Sequence, residues 1–247
     1  MRIRRELGFL LISLILISII PVKLKGQSHY VDGLYWLRVQ TQFIFSPKWS
    51  GSLELEERRF LAPDRAHQRV FPDLRLFYHF TPSWKTGIGY TNFSISGPGT
   101  ADIPVNQVLH EQRYALFLAR KFKWEQKSLA TQWKSELRNF DRDPLDGELN
   151  FLDYVIRLRF LAKYSYAINQ RWKLSAVDEL HINVAGNTDY QFFDQNRVFG
   201  GLSYNHQDFS YGLDYIFWYQ KNRRGSAFFH RHILRFTFQY QFDFSGL

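Results

Sequence analysis

The sequence predicts an all-β protein: a single antiparallel β-barrel of the outer-membrane type, preceded by a signal peptide. The last stretch of the chain, Arg231 to Phe242, alternates bulky and mostly apolar residues with polar ones. A period of two indicates a strand with one apolar and one wet face. Similar stretches recur roughly every 20 residues, with short and long connections alternating between them, as in transmembrane barrels. The mean hydropathy of −0.34 beside an aromatic content of 18% fits residues that face lipid and lumen in turn.

The first 26 residues have the composition of a targeting segment. Arg2, Arg4 and Arg5 form a positive start, and an apolar run without charge extends from Leu7 to Val22. A signal sequence has an apolar core of about 7–15 residues, whereas a membrane-spanning helix needs about 20. We therefore expect a cleaved signal peptide over residues 1–26 and a barrel domain over residues 27–247. A retained N-terminal anchor is the alternative, because Leu24-Lys25-Gly26 is a poor cleavage site.

The charge and the cysteine count exclude several classes of protein. The formal charge of the whole chain is +9, but residues 1–26 contain five basic residues and one acid, so the remainder carries +5. This excess is spread along the strands and not clustered on a recognisable module, so we expect no nucleic-acid partner. The chain contains no cysteine and thus no disulfide. We expect no cofactor and no metal.

Eleven stretches satisfy the strand pattern. They lie near residues 31–45, 50–61, 69–80, 84–95, 108–121, 127–140, 151–167, 172–184, 194–205, 208–220 and 230–243. Trp49, Trp84 and Trp172 each follow a short turn, which is typical of an aromatic girdle at a membrane interface. Bacterial single-chain barrels have an even number of strands and both chain ends at the short-turn rim. The predicted number is therefore 12 strands, with 10 as the alternative, and the last strand should pair with the first near Tyr35 to Phe43.

Charged residues on the polar face of the strands are assigned to the lumen. A Lys or Arg that faces lipid near the membrane midplane costs about 2–4 kcal/mol, so a dozen such residues would not be tolerated there. Arg120 and Asp178 break the alternation; Arg120 lies near the short-turn rim, where it can reach water, and Asp178 would need a bulge. The predicted lumen-lining charges are Glu54, Glu56, Arg58, Arg69, Asp73, Arg75, Glu111, Arg113, Lys134, Glu136, Arg138, Asp153, Arg157, Arg159, Glu179, Arg197, Asp214, Arg231 and Arg235.

These lumen charges have two interpretations. Arginine and glutamate side chains match in geometry, so the set can be a structural network that holds the interior together. Alternatively it can act as a selectivity ring that favours anions, because bases outnumber acids. Barrels of about 8 strands are filled by side chains and those of 16–18 enclose a channel. At 10–12 strands, the lumen can be plugged or narrowly open.

Neither a catalytic site nor a metal site assembles from the sequence. His79, His110, His181 and His206 are scattered, and no serine lies in a Gly-x-Ser-x-Gly elbow. His230 and His232 share a strand face and would need a third ligand to bind a metal. The acidic loop from Asp141 to Glu148 misses the spacing of a calcium-binding loop. We therefore expect no enzyme activity, with an outer-membrane lipid hydrolase as the alternative.

Several motifs resemble those of a protein family. They are the hairpin from Phe45 to Arg58, His110-Glu-Gln-Arg-Tyr114, the stretch from Asp194 to Tyr204, and the Arg-x-Arg of Arg157 and Arg159. Their order along the chain resembles the domain of unknown function 2490 family of small outer-membrane barrels from Gram-negative bacteria. The resemblance implies a fold and a location but no established activity.

The expected function is that of a passive barrel, either structural or a narrow channel in the bacterial outer membrane. The expected partners are outer-membrane lipid and the barrel-assembly machinery; the oligomeric state is not determined by the sequence. An interaction protein whose long loops, especially Ser96 to Gln107, bind a ligand or partner is the second hypothesis. A lipid-modifying enzyme is the third.

Overall fold

The computed structural model describes residues 28–61, 67–96, 108–141, 154–186, 192–221 and 227–246. The predicted signal peptide and Asp153 lie outside these ranges. The described residues form eleven strands: β1 (Ser28–Ile44), β2 (Trp49–Phe60), β3 (His67–His79), β4 (Trp84–Ser96), β5 (Val108–Trp124), β6 (Lys127–Phe140), β7 (Tyr154–Ala167), β8 (Trp172–Gly186), β9 (Phe193–His206), β10 (Phe209–Lys221) and β11 (Ala227–Asp243). The same part of the chain includes no helix that is long and apolar enough to cross a membrane.

The strands form one closed barrel, which confirms the predicted fold class. Neighbours in sequence pair antiparallel, and the barrel closes where β1 pairs with β11 in parallel. Tyr35 lies opposite Leu234 and Phe43 opposite Phe242, so the predicted pairing of the last strand with the first is confirmed. The predicted number of 12 is one too high, since the described barrel has eleven strands. With an odd number the first and last strands run in the same direction, and β1 therefore begins at the rim of the long connections.

The outer wall is apolar. Outward side chains such as Leu37, Leu116 and Phe236 are about half exposed or more. On β11 the aromatic residues Phe236 to Phe242 occupy this outer face, as the alternation predicts. At the short-turn rim, Trp49 packs on Tyr78 with ring centroids 5.1 Å apart and Trp172 on Tyr204 at 4.9 Å. Two of the three predicted girdle tryptophans thus form cross-strand pairs, which also stabilise the sheet. The third, Trp84, stacks instead on Phe80 of the preceding turn, with ring centroids 6.2 Å apart.

The two outward charges that break the alternation are both accommodated. Asp178 accepts a hydrogen bond of 2.7 Å from the amide of Asn196 on the neighbouring strand. The guanidinium of Arg120 lies over the rings of Trp84 and Phe122, at 4.9 Å and 4.1 Å from their centroids. Neither residue faces the outer surface without a polar or aromatic partner.

A bulge in β3 changes the assignment of one predicted residue. Glu56 pairs with Val70 and Glu54 with Asp73, so β3 has one more residue than β2 across this interval. Pro72 lies within the interval, where its missing N–H donor is tolerated. An extra residue reverses the alternation. Arg69 is consequently exposed on the outer wall and bonds to Glu57 at 2.9 Å, so its prediction as a lumen residue is wrong.

Candidate functional site

The lumen gathers the predicted charges into ion-pair networks. Apart from Arg69, every predicted lumen residue in the described part of the chain points inward. Glu56, Glu111 and Glu136 have no exposed surface at all. A carboxylate is tolerated at such a position only when it is paired and hydrogen-bonded.

The first network joins β1, β2 and β3 around Glu56. Its carboxylate lies between Arg38, at 2.5 Å, and Arg58, at 2.6 Å. Arg38 also contacts Glu54 at 3.2 Å, and Arg75 contacts Glu54 at 3.5 Å. The network therefore alternates acid and base across three adjacent strands, so no charge in it is buried alone.

The second network is centred on Glu136 of β6. Lys134 lies 2.6 Å from one carboxylate oxygen, Arg157 2.6 Å from the other, and Arg159 2.9 Å from the first. Arg157 also donates to Asp194 at 2.8 Å. One carboxylate thus organises three cations from two strands.

The third network lies around Glu179 of β8. Arg159 contacts it at 2.5 Å, and Nε2 of His181 lies 3.0 Å from its other oxygen. Arg197 is more distant, at 3.8 Å. Because Arg159 also contacts Glu136, this network is continuous with the second.

Further pairs complete the lumen. Glu111 accepts hydrogen bonds from Arg113, at 2.8 Å, and from Arg138. Asp73 pairs with Arg75 at 2.8 Å, and Asp214 pairs with Arg235 at 2.8 Å. Asp32 lies 3.6 Å from Arg231.

Aromatic side chains also occupy the lumen, although the sequence did not predict them there. Trp36 and Trp218 lie in a buried apolar cluster, at 1% and 4% exposure. The guanidinium of Arg58 lies 4.1 Å from the centroid of Trp36, and that of Arg197 lies 4.6 Å from Trp218. Cation–π contacts of this kind stabilise a desolvated cation. The barrel interior is therefore packed with both charged and aromatic side chains.

The space left inside is small. A cavity of about 250 Å³ remains in the lumen, bordered by Arg38, Asp73, Arg75, Lys163 and Arg235 among others. Ligand pockets in proteins usually have about 300–1,000 Å³. In the middle of the barrel, side chains therefore fill most of the cross-section.

Three charged members of the networks were not predicted from the sequence. Arg38 and Asp32 have the same parity as Trp36 on β1, and the alternation of that strand would have identified them. Asp194 lies beside the register shift between β8 and β9. Because bulges do not follow from alternation, no sequence signal identified Asp194 as a lumen residue.

The histidines and serines of the described residues do not form a catalytic triad. Ser203 donates to the backbone carbonyl of Lys173 at 3.4 Å and so is not paired with His206. Ser50 Oγ lies 2.8 Å from Nε2 of His79, and Ser94 Oγ lies 3.1 Å from Nδ1 of His110. No carboxylate in the described ranges hydrogen-bonds to the ring of either histidine, so both pairs lack the orienting group of a catalytic triad.

The histidines of β11 do not share a metal site. His230 contacts His29 at 2.9 Å, whereas His232 contacts the hydroxyl of Tyr215 at 2.6 Å. Among the described residues, no group of three potential ligands is arranged to hold a metal ion. The acidic loop after Asp141 and most of the loop from Ser96 to Gln107 lie outside the described ranges, so their roles stay predictions.

Comparisons with known proteins identify a family and a solved structure with a similar fold. A family model described as "Protein of unknown function (DUF2490)" matches residues 33–229. A comparison with curated proteins found no match. A solved structure of the NanC porin aligns with 78% of this chain and 89% of its own, at 10% sequence identity and a TM-score of 0.49.

Proposed function

The chain belongs to the DUF2490 family of proteins of unknown function, and from this premise we propose that it is an outer-membrane β-barrel with a lumen closed to all but small ions. The observation that carries the proposal is the complete burial of Glu56, Glu111 and Glu136 within ion-pair networks. A barrel whose lumen is occupied by these ion-pair networks has a structural role or conducts small ions passively. We propose no enzymatic activity.

Membrane insertion is supported by the outer wall. Large apolar side chains are exposed on every strand, and soluble monomers rarely expose apolar surface on this scale. Closure pairs the backbone groups of every strand with neighbours on both sides, as a membrane-spanning sheet requires. The aromatic pairs at the short-turn rim are suited to the interface between lipid and water.

Fractionation tests this location. The mature protein should sediment with the outer membrane and should require detergent for extraction, because its outer wall is apolar. Resistance of the bound protein to alkaline carbonate distinguishes insertion from surface attachment. A mature protein that stays in solution without detergent would show that the membrane assignment is wrong.

Conductance in planar bilayers tests the closed lumen. The wild-type protein should give very small steps or none. Asp73→Ala combined with Arg75→Ala removes both members of a pair that borders the cavity, while Glu54 keeps Arg38 as a partner. We expect this double variant to conduct severalfold more than the wild type, since the removed side chains leave a wider path.

The matched control is Glu57→Ala combined with Arg69→Ala. This pair lies on the outer wall of β2 and β3 and does not border the lumen. Its removal should leave conductance unchanged. Wild-type steps as large as those of barrels with 16–18 strands would contradict the proposal.

A further inference from the structure

Four lysines of the described residues place positive charge in the short-turn half of the lumen. Lys85 and Lys173 are each the second residue of a strand that begins after a short turn. Lys121 and Lys163 lie three and four residues before the last residue of a strand that ends at such a turn. Each lysine lies an even number of residues from a buried, inward-facing residue of its own strand, and therefore on the same face. These residues are Thr91 on β4, Glu111 on β5, Arg157 on β7 and Glu179 on β8. All four lysines therefore face the lumen near one opening.

No carboxylate of the described residues forms an ion pair with these lysines. Asp214 attracts Lys163 but already accepts two hydrogen bonds from Arg235, at 3.0 and 2.8 Å. The amino group of Lys85 lies over the ring of Phe77, 3.9 Å from its centroid. The lysines instead repel one another, which leaves the region attractive to an anion.

The strand register brings two of the lysines around one small residue. Lys121 on β5 and Lys163 on β7 both lie opposite Ala130 of β6. Adjacent strands are about 4.8 Å apart, so the two backbones are separated by roughly 10 Å. The flexible stems of both lysines can therefore converge on one anion above Ala130.

A row of hydroxyl groups lies beside the lysines. Ser128, Ser165 and Ser175 are directly opposite one another on β6, β7 and β8. Ser165 is only 6% exposed, and its hydroxyl has no hydrogen-bond partner among the described residues. Because its oxygen is not completely enclosed, the hydroxyl is accessible from the lumen and can donate to a ligand there.

We propose that the short-turn half of the lumen is a binding site for a soluble anion with at least two phosphate groups. Lys121 and Lys163 hold the anion from either side, Lys85 and Lys173 attract it at the opening, and Ser165 donates to it. The site is independent of the proposed conductance, because it requires an accessible rim but no open path through the barrel.

The residue types suit phosphate as the bound group. Guanidinium groups match both carboxylates and phosphates in a planar fork, but the arginines of the lumen networks are already engaged by carboxylates, which leaves the lysines to hold the anion. Lysine acts as a compact point charge that suits the rounded phosphate group, and serine adds a neutral donor. Four cations on four strands suit a ligand with more than one anionic group.

The orientation of the lysines favours a solute over a lipid. All four point into the lumen, whereas the acyl chains of a membrane lipid lie against the outer wall. A headgroup could reach the lysines only if its chains left the membrane. The site therefore takes its ligand from the aqueous side of the short-turn rim.

Calorimetric titration of the full-length mature protein with inorganic pyrophosphate tests the site. The protein is kept in non-ionic detergent at low salt. We expect saturable binding to the wild type and weaker binding of inorganic phosphate. Lys121→Gln combined with Lys163→Gln should lower pyrophosphate affinity about tenfold or more, since two charge-assisted contacts are lost.

Lys127→Gln is the matched control. Lys127 lies on β6 beside the same rim but has the outward parity, so its removal should change affinity less than about twofold. Equal loss in Lys127→Gln and in the double variant would overturn the proposal, as would the absence of saturable binding to a folded wild type. Anionic phospholipid added to the micelles should not compete with pyrophosphate. Stoichiometric competition would assign the site to a lipid headgroup and would overturn the proposal that its ligand is a soluble anion. Circular dichroism identifies any variant that has not folded.

Discussion

Glu136→Gln should destabilise the barrel by about 3–5 kcal/mol, because removing one partner of a buried ion pair leaves the other charge uncompensated. Arg157 and Arg159 would keep Asp194 and Glu179, respectively. Lys134, at 4% exposure, would lose its carboxylate partner. Denaturant unfolding in lipid vesicles, followed by tryptophan fluorescence, measures the change.

Two further variants separate this effect from a general loss of charge. Glu57→Gln disrupts the outer pairs with Arg59 and Arg69, both largely exposed, and should cost about 0–1 kcal/mol. Lys134→Met in the Glu136→Gln background removes the unpaired cation and should restore part of the lost stability. A Glu136→Gln protein as stable as Glu57→Gln would show that the buried network is not what holds the lumen together.

Cysteines introduced at Leu37 and Phe236 should form a disulfide in nearly all molecules. These residues are directly opposite across the parallel pairing of β1 and β11, and both face outward. Directly opposite positions fall within the Cα separation of about 4.4–6.8 Å that a disulfide requires. The chain has no cysteine of its own, so the introduced pair is the sole source of cross-links. Non-reducing electrophoresis after heat denaturation measures the yield.

Leu37→Cys combined with Tyr240→Cys is the control for this experiment. Tyr240 lies on the same face of β11 but pairs with Thr41, four residues further along β1. This separation exceeds what a disulfide can bridge, so little cross-linking is expected. Efficient cross-linking of the control, or none of the first pair, would contradict the parallel closure and the count of eleven strands.

Most of the strands and faces follow from the sequence because alternation is a local property. The aromatic row of β11 and the charges of β6 need only a period of two to be assigned to opposite sides of the wall. The cost of placing charge in lipid then decides which side is the lumen. Glu136, Arg157 and Arg235 were identified as lumen residues by this reasoning alone.

Alternation does not determine which residues meet inside the barrel. The partners of Glu136 lie on its own strand and on β7, and the contact between Arg157 and Asp194 joins residues 37 positions apart. The free lysines are likewise distinguished from the paired arginines only after the strands are in register. Pairing of this kind depends on contacts between distant parts of the chain, which a single sequence does not display.

The sequence by itself determined an alternating, closed β-wall with apolar residues outside and charges inside. The tertiary structure decided the odd number of strands, the outward position of Arg69, and the pairing that leaves Lys121 and Lys163 without an acidic partner among the described residues. The physical reason is that alternation sets the face of each side chain locally, while bulges and closure set the register through hydrogen bonds between strands. One extra residue in β3 was enough to move Arg69 from the lumen to the outer wall.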